Sequence, residues 1–356
     1  MTSSAALART LLVAAITAIA ATLLPVSATL AQTQNEPSRK PSLLGWILGT
    51  KQDENGGWLF VGSKKTGEAG LYMAISKDGY NWAYVSEGKP IIRQSERNEL
   101  MLDPFVQRDP DGTFHMVWIW STSSPAIGYA SSNDLLHWTK NRRLPITASI
   151  PGVLTASSPS VYYRESKKDW LILWTSSVAS TGGGSSAQDR IYYSTTTDFK
   201  QFTPAALFFD PGYSVTDANL LGSGMPGLFY LLFQDERTNP LQRRIYAAEG
   251  PSTTGPWQRI SEPITAPWTE APAAIQTADG LLIYYHRAQQ HAQNAISHDP
   301  EDYGAAFTKD MAHWDDESLR ISFPSGIHHG SFINITTDEY SMLHHFFLRF
   351  DTGLPK

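Results

Sequence analysis

Five short stretches of this 356-residue chain put a small polar, acidic or imidazole side chain just ahead of an apolar run. They are MLDPF at Asp103, SSPSV at Ser160, VTDAN at Asp217, TEAPA at Glu270 and IHHGS at His329. Three carboxylates and one imidazole at matching places can divide acid from base work once they share a cavity, because burial and mutual repulsion push their pKa values apart. Two carboxyl groups flanking a sugar ring are what cleavage of a glycosidic bond requires. One must be ionised to activate water, and the other must hold a proton for the departing oxygen. A third carboxylate nearby raises the proton affinity of the acid and orients it. A separation of about 6.5–9.5 Å leaves room for water and gives inversion, whereas about 5–5.5 Å gives retention. Each residue alone has a plainer role, since Asp-Pro at 103 is an ordinary turn signal. The weight lies in the recurrence.

These side chains meet only if the elements behind them are arranged in a ring. IGYASSNDLLHW contains Ala130, then Asp134 four residues on and Trp138 eight residues on. The same grammar returns with Ala74, Asp78 and Trp82; Ser194, Asp198 and Phe202; Ala248, Ser252 and Trp257; and Ala306, Asp310 and Trp314. The Asp carboxylate is expected to accept backbone N–H bonds just ahead of it, forming a tight turn. The aromatic then re-enters to pack on the next unit. A helical reading of DLLHW is too short to stand alone. Five β-rich units of this kind predict an all-β, five-bladed propeller.

Within it, Trp58–Gly62 and Leu71–Ser76 read as paired strands of a first unit that lacks an inner strand. Gly330–Ile335 is an inner strand without a motif behind it. Pairing the two closes the ring and leaves no open sheet edge. Met342–Phe350 reads as a further strand, and no amphipathic helix stands out between the motifs. Val178–Asp189 is a Gly/Ser-rich loop, and Gln289–Asp302 a long polar insert.

Composition agrees. Charged residues make up 17% and aromatics 12%, with 11 Trp, as befits a β-protein with an aromatic-lined cleft for carbohydrate. A net charge of −6 argues against nucleic acid and anionic membrane as partners. The absence of Cys excludes a disulfide framework and thiolate metal sites. Arg9, the apolar run Leu11–Leu24 and small residues around Ala28 and Ala31 have the layout of a signal peptide over 1–31, followed by a polar linker over 32–42 and the propeller over 43–356. The expected location is secreted or periplasmic, free of the membrane after cleavage; the alternative is an uncleaved anchor.

The stretches MLDPFVQRDPDGTFHMVW, IYYSTTTDFKQF, YSVTDANL, WTEAPAAI and ISFPSGIHHGSF, together with the repeated motif, resemble glycoside hydrolase family 43 and its relatives, the five-bladed propellers that include arabinofuranosidases and xylosidases. The resemblance spans about Gly45 to Ile335. It implies Asp103 as general base, Asp217 as the residue tuning the acid, Glu270 as general acid, and inversion with water as nucleophile. It also implies an oligosaccharide or polysaccharide substrate and no required cofactor. In some relatives the residue matching His329 lies on the channel axis, where it helps hold a water-coordinated Ca2+ or touches substrate; the other reading is a structural His bonded to backbone.

The chain departs from the family pattern at Ser157–Ser160, where relatives carry Trp-Ala-Pro-Glu or -Asp, at Ala271, where they carry Gly, and at His328, where they carry Arg. Ser160, Trp120, Asp235 and His329 are the candidate substrate contacts, and no direct protein metal ligands are assigned. Trp120 reads better as inter-blade packing than as a rim platform. Asp235 and Glu236 read better as a solvated turn, and His286 and His291 as loop or wall residues. Two functions follow: an exported, exo-acting glycosidase releasing a pentose or furanose unit such as arabinose or xylose, or, because of the departures at Ser160 and Ala271, a catalytically silent propeller that binds a glycan or a protein. A glycosyl-transferring or fructan-type propeller is a third, weaker reading.

Overall fold

Short apolar runs alternate with tight polar turns along the chain, and antiparallel pairing of those runs forms nearly all of the regular structure. The computed structural model describes residues 56–64, 70–93, 100–122, 124–178, 188–287 and 303–352. The expected signal peptide and linker, most of the Gly/Ser-rich loop, and the 289–302 insert with His291 lie outside the described residues.

Five sheets follow one another in the chain. The first holds β1 (Gly57–Ser63), β2 (Gly70–Ser76), β3 (Ala83–Tyr84) and β4 (Ile92–Arg93). The second holds β5 (Leu102–Arg108), β6 (Phe114–Ser121), β7 (Ala126–Ser132) and β8 (Arg142–Leu144). The third holds β9 (Ser157–Arg164), β10 (Asp169–Ser177), β11 (Asp189–Thr196) and β12 (Ala206–Phe209). The fourth has β13 (Val215–Gly222), β14 (Phe229–Asp235) and β15 (Arg244–Gly250). The fifth has β16 (Thr269–Gln276), β17 (Leu281–Arg287), β18 (Tyr303–Thr308) and β19 (Asp315–Asp316). The last strand, β20 (His328–Ile335), returns to pair antiparallel with β1, from Gly57 opposite Ile335 to Gly62 opposite Gly330. The ring of five blades is closed as the sequence predicts.

Apolar side chains fill the seams between blades rather than one central core. One cluster joins Leu59 and Val61 of the first blade to Val106 and Met116 of the second. Another joins Phe60 and Tyr72 to Leu282 and Tyr284 of the fifth. Both faces of β1 and β2 are therefore buried along their whole length, so these strands read as continuous apolar runs without alternation.

The repeated motif forms the expected turn. Asp78 Oδ1 accepts from the backbone N–H of Tyr80 and Asn81 at 2.8 and 2.7 Å, and Asp134, Asp198 and Asp310 do the same in their blades. A hydroxyl two residues earlier, Ser76, Ser132, Thr196 or Thr308, accepts from the residue after the Asp. That residue has left-handed backbone in all four blades, at Gly79, Leu135, Phe199 and Met311. The aromatic closes on the neighbouring blade: Trp82 Nε1 donates to Tyr284 Oη at 3.0 Å.

The segment after β20 is not a strand. Thr337–Thr352 is an α-helix, α1. Its start is a reciprocal capping box, with Thr336 N donating to Glu339 Oε2 at 2.8 Å and Glu339 N donating to Thr336 Oγ1 at 3.2 Å. The Thr-x-x-Glu spacing at 336–339 is visible in the sequence and outweighs the β-propensity of the aromatics that follow it. Fully buried Leu343 anchors the helix against the first blade.

Candidate active site

The inner strand of every blade is interrupted by a register shift at its starting end. In four of them one non-glycine residue takes left-handed backbone: Asp103 (φ +49°), Ser158 (φ +46°), Asp217 (φ +57°) and Ala271 (φ +51°). Bulges of this kind re-aim a side chain and are common beside active sites. Each such backbone costs on the order of 1–3 kcal/mol, so the surrounding blade must hold it in place.

All five inner strands contribute to one axial pocket, lined by Asp103, Ser158, Ser160, Asp217, Ala271 and His329 among others. At about 40 Å3 it has room for water beside the carboxyl groups of Asp103 and Asp217.

The equivalent positions differ from those expected in two blades. In the third blade it is Ser158, not Ser160, that matches Asp103 and Asp217. Its Oγ donates to Asp217 Oδ1 at 2.5 Å. Ser160 lies two residues further in, buried, with its Oγ 3.3 Å from the Ala218 carbonyl oxygen. In the fifth blade the bulge residue is Ala271, and Glu270 precedes it. The signal for this alignment is a Pro after the bulge residue, at Pro104, Pro159 and Pro272.

Two further contacts fix Asp217, and its surroundings set its proton affinity. Thr216 Oγ1 is 3.2 Å from Oδ1, the Ala271 backbone N–H donates to Oδ2 at 2.8 Å, and burial raises its proton affinity above the ordinary carboxylate range, with the Glu270 and Asp103 charges adding to the rise and His329 opposing it. The Ala271 bond ties Asp217 to the backbone immediately after Glu270.

Glu270 Oε1 receives His286 Nδ1 at 3.2 Å and His329 Nε2 at 3.1 Å, while Oε2 lies 3.5 Å from Arg243 Nη2. Burial works against ionisation here, but the bonds and positive charge from the two imidazoles outweigh it and hold Glu270 well below the ordinary glutamate range. His329 turns its other nitrogen to Asp103, with Nδ1 3.2 Å from Oδ1. Burial opposes its charge, yet the flanking carboxylates of Asp103 and Glu270 raise its proton affinity well above that of ordinary imidazole. The His329 ring thus stands between the carboxyl groups of Asp103 and Glu270.

Arg243 extends this network outward. Its Nη1 is 2.8 Å from Glu236 Oε2. Burial pushes Glu236 up to about 7 despite Arg243, helped by the Asp217, Glu270 and Asp189 charges. Glu236 is thus part of the site rather than a solvated turn residue. His286 is likewise inside it, nearly fully buried. Arg243 has no local sequence signature, since only the fold carries it to Glu270.

Two expected substrate contacts lie elsewhere. Asp235 is fully buried and its oxygens are taken by Arg237, at 3.0 Å from Nε and 2.5 Å from Nη2. Trp120 is buried and stacks on Trp118 at a centroid distance of 6.0 Å. Asp235 thus braces the turn after its own strand, and Trp120 belongs to the apolar cluster between the first and second blades.

The donors closest to forming a metal site among the described residues are Glu270, His286 and His329, whose ligand atoms lie within 4.8 Å of one another. Two imidazole nitrogens and one carboxylate oxygen do not fit direct binding of Ca2+, which takes six to eight oxygens. Both ring nitrogens of His329 already face carboxylates.

Comparison with known proteins bears on the family and the fold. A family model described as a probable glycosyl hydrolase domain, related to glycosyl hydrolase family 43, matches residues 57–341. Among solved structures, a thermostable family-43 glycoside hydrolase is 15% identical with a TM-score of 0.52, over 67% of this chain and 80% of its own. An endo-1,4-beta-xylanase from Bacteroides thetaiotaomicron is 14% identical with a TM-score of 0.54, over 82% of this chain and 98% of its own. No curated protein sequence matches the chain. At these identities the structural likenesses speak for the five-bladed fold.

Proposed function

The chain belongs to the glycosyl hydrolase 43-related family of glycosidases, and we propose that it is an exported, exo-acting, inverting enzyme that releases an arabinose- or xylose-like unit from an oligosaccharide or polysaccharide. The carrying observation is that Asp103, Asp217 and His329, from three different strands, line one axial pocket, where the His329 imidazole contacts both Asp103 and Glu270 and Asp217 accepts from the amide next to Glu270. Export is supported by the basic start, apolar run and small residues of the first 31 positions.

In this reading Asp103 takes the proton of a water attacking the anomeric carbon, and Glu270 protonates the departing oxygen. The His329 contacts, 3.2 Å to Asp103 and 3.1 Å to Glu270, set an upper limit of about 8.5 Å on the separation of the facing oxygens, which is compatible with the spacing an inverting enzyme needs. Asp217 keeps Glu270 in register through the Ala271 amide. The low proton affinity of Glu270 and the raised one of His329 support a store for the acid proton on His329, whose Nε2 lies 3.1 Å from Glu270 Oε1. A saccharide that displaces water makes the ion pair costlier than its neutral form, which favours transfer of that proton from Nε2 to Glu270 Oε1. No step runs through a metal.

The test is direct. Purified enzyme is incubated with aryl pentosides and with arabinan, xylan and galactan oligosaccharides, and proton NMR follows the first-formed anomer. Release of single pentose units with inverted configuration is expected. Retained configuration, or products cut from chain interiors, would overturn the inverting or the exo-acting part of the reading respectively.

A further inference from the structure

A second cleft, of about 360 Å3, opens in the seam between the fourth and fifth blades, within the usual range of small-ligand sites. Its walls include Trp268, Trp314, Tyr285, Arg287 and Asp316. Trp314 packs against the core of these two blades while remaining partly exposed. Trp268 is partly exposed, yet its indole Nε1 is buried with no hydrogen-bond partner. The donor Arg287 and the acceptor Asp316 are both exposed. Aromatic rings beside planar charged groups suit a saccharide, whose C–H faces rest on the rings while vicinal hydroxyls pair with guanidinium and carboxylate.

The position of the cleft says which part of a saccharide it would meet. Thr269 pairs with Arg287, and the next pair along the same strands is Glu270 with His286. Successive strand residues face opposite sides of a sheet, so the cleft begins one residue from Glu270 on the other face of the fifth blade. Trp268 is linked to the site as well, since the Arg243 guanidinium lies 5.5 Å over its ring while contacting Glu270. The group that protonates the departing oxygen stands on the leaving-group side of the scissile bond.

We propose that the cleft between the fourth and fifth blades binds the leaving-group side of a glycan chain, holding sugar units beyond the bond that is cut. This rests on Glu270 being the acid. It makes the enzyme selective for chains over short glycosides.

The experiment compares wild type with Trp314→Ala and, separately, Arg287→Ala, neither of which touches the carboxylates. The substrates are an aryl pentoside and linear arabino- and xylo-oligosaccharides of two to six units. Expected is an unchanged kcat/KM on the aryl pentoside and a loss of about three- to tenfold on the longest oligosaccharide cleaved, with the advantage of chain length reduced in both variants. Equal losses on short and long substrates, or none on either, would overturn the proposal. Binding of the same oligosaccharides to Glu270→Gln, followed by tryptophan fluorescence, separates this proposal from the hydrolytic reading. Chain-length-dependent binding lost on adding Trp314→Ala supports the cleft even if no bond is cut, and affinity that stays the same overturns it even in an active enzyme.

Discussion

Asp103 and Glu270, on inner strands of two different blades, are joined through a single imidazole: His329 Nδ1 lies 3.2 Å from Asp103 and its Nε2 lies 3.1 Å from Glu270. The two ends of the proposed reaction thus share one proton reservoir, and neither carboxylate can be altered without changing the field at the other.

Asp103→Asn and Glu270→Gln keep the shape of each side chain while removing its acid–base capacity. Turnover on an aryl pentoside is expected to fall by about 10²–10⁴-fold in each, with thermal midpoints close to wild type. A variant that retains more than a tenth of wild-type turnover would take that residue out of the chemistry.

His329→Gln removes the group that stores the acid proton. His329 holds its proton above the ordinary imidazole range, whereas Glu270 without its two-sided support would lose one at lower pH. The alkaline limb of the kcat/KM profile is therefore expected to move to lower pH. A residue with only a structural role would lower the whole profile without shifting that limb.

Glu236 gives a pH signature in stability. Its folded proton affinity, at about 7, exceeds the ordinary 4.5, so the stability it permits is full below pH 4.5 and declines as pH rises to 7. The groups facing it are Arg243, Asp217, Glu270 and Asp189. Glu236→Gln cannot ionise and should escape this decline, gaining up to about 3 kcal/mol on wild type between pH 4.5 and 8. Urea denaturation at the two pH values measures the difference; parallel losses in both proteins would contradict it.

Gly330→Ala tests the ring closure. A Cβ at this position would stand 1.8 Å from the Val61 carbonyl oxygen and 2.9 Å from Gly62 Cα, both backbone atoms of β1 that cannot rotate away. Parting β20 from β1 is expected to cost about 3 kcal/mol, read as a lowered thermal midpoint. An unchanged midpoint would mean that this seam contributes little to holding the ring.

Local chemistry decided much of this protein within its sequence. The Asp turn and its re-entering aromatic depend on residues at most eight apart, so the five blades and their order were legible before any fold was known. The pairing of the first and last strands followed from what each terminal unit lacked. The capping box at Thr336–Glu339 was equally local, although Met342–Phe350, read as a strand, lies in the helix it starts. The Pro residues after Asp103, Ser158 and Ala271 also marked the true bulge positions. What no local pattern holds is the direction in which a left-handed bulge aims its side chain, or which distant side chain fills the space opposite. Only ring closure brought His329 between Asp103 and Glu270, carried Arg243 from the fourth blade to bridge Glu236 and Glu270, and packed Trp120 into the seam between the first two blades. Proton affinities follow from those cross-blade contacts and from burial, which are properties of the assembled ring and are written in no single stretch of the chain.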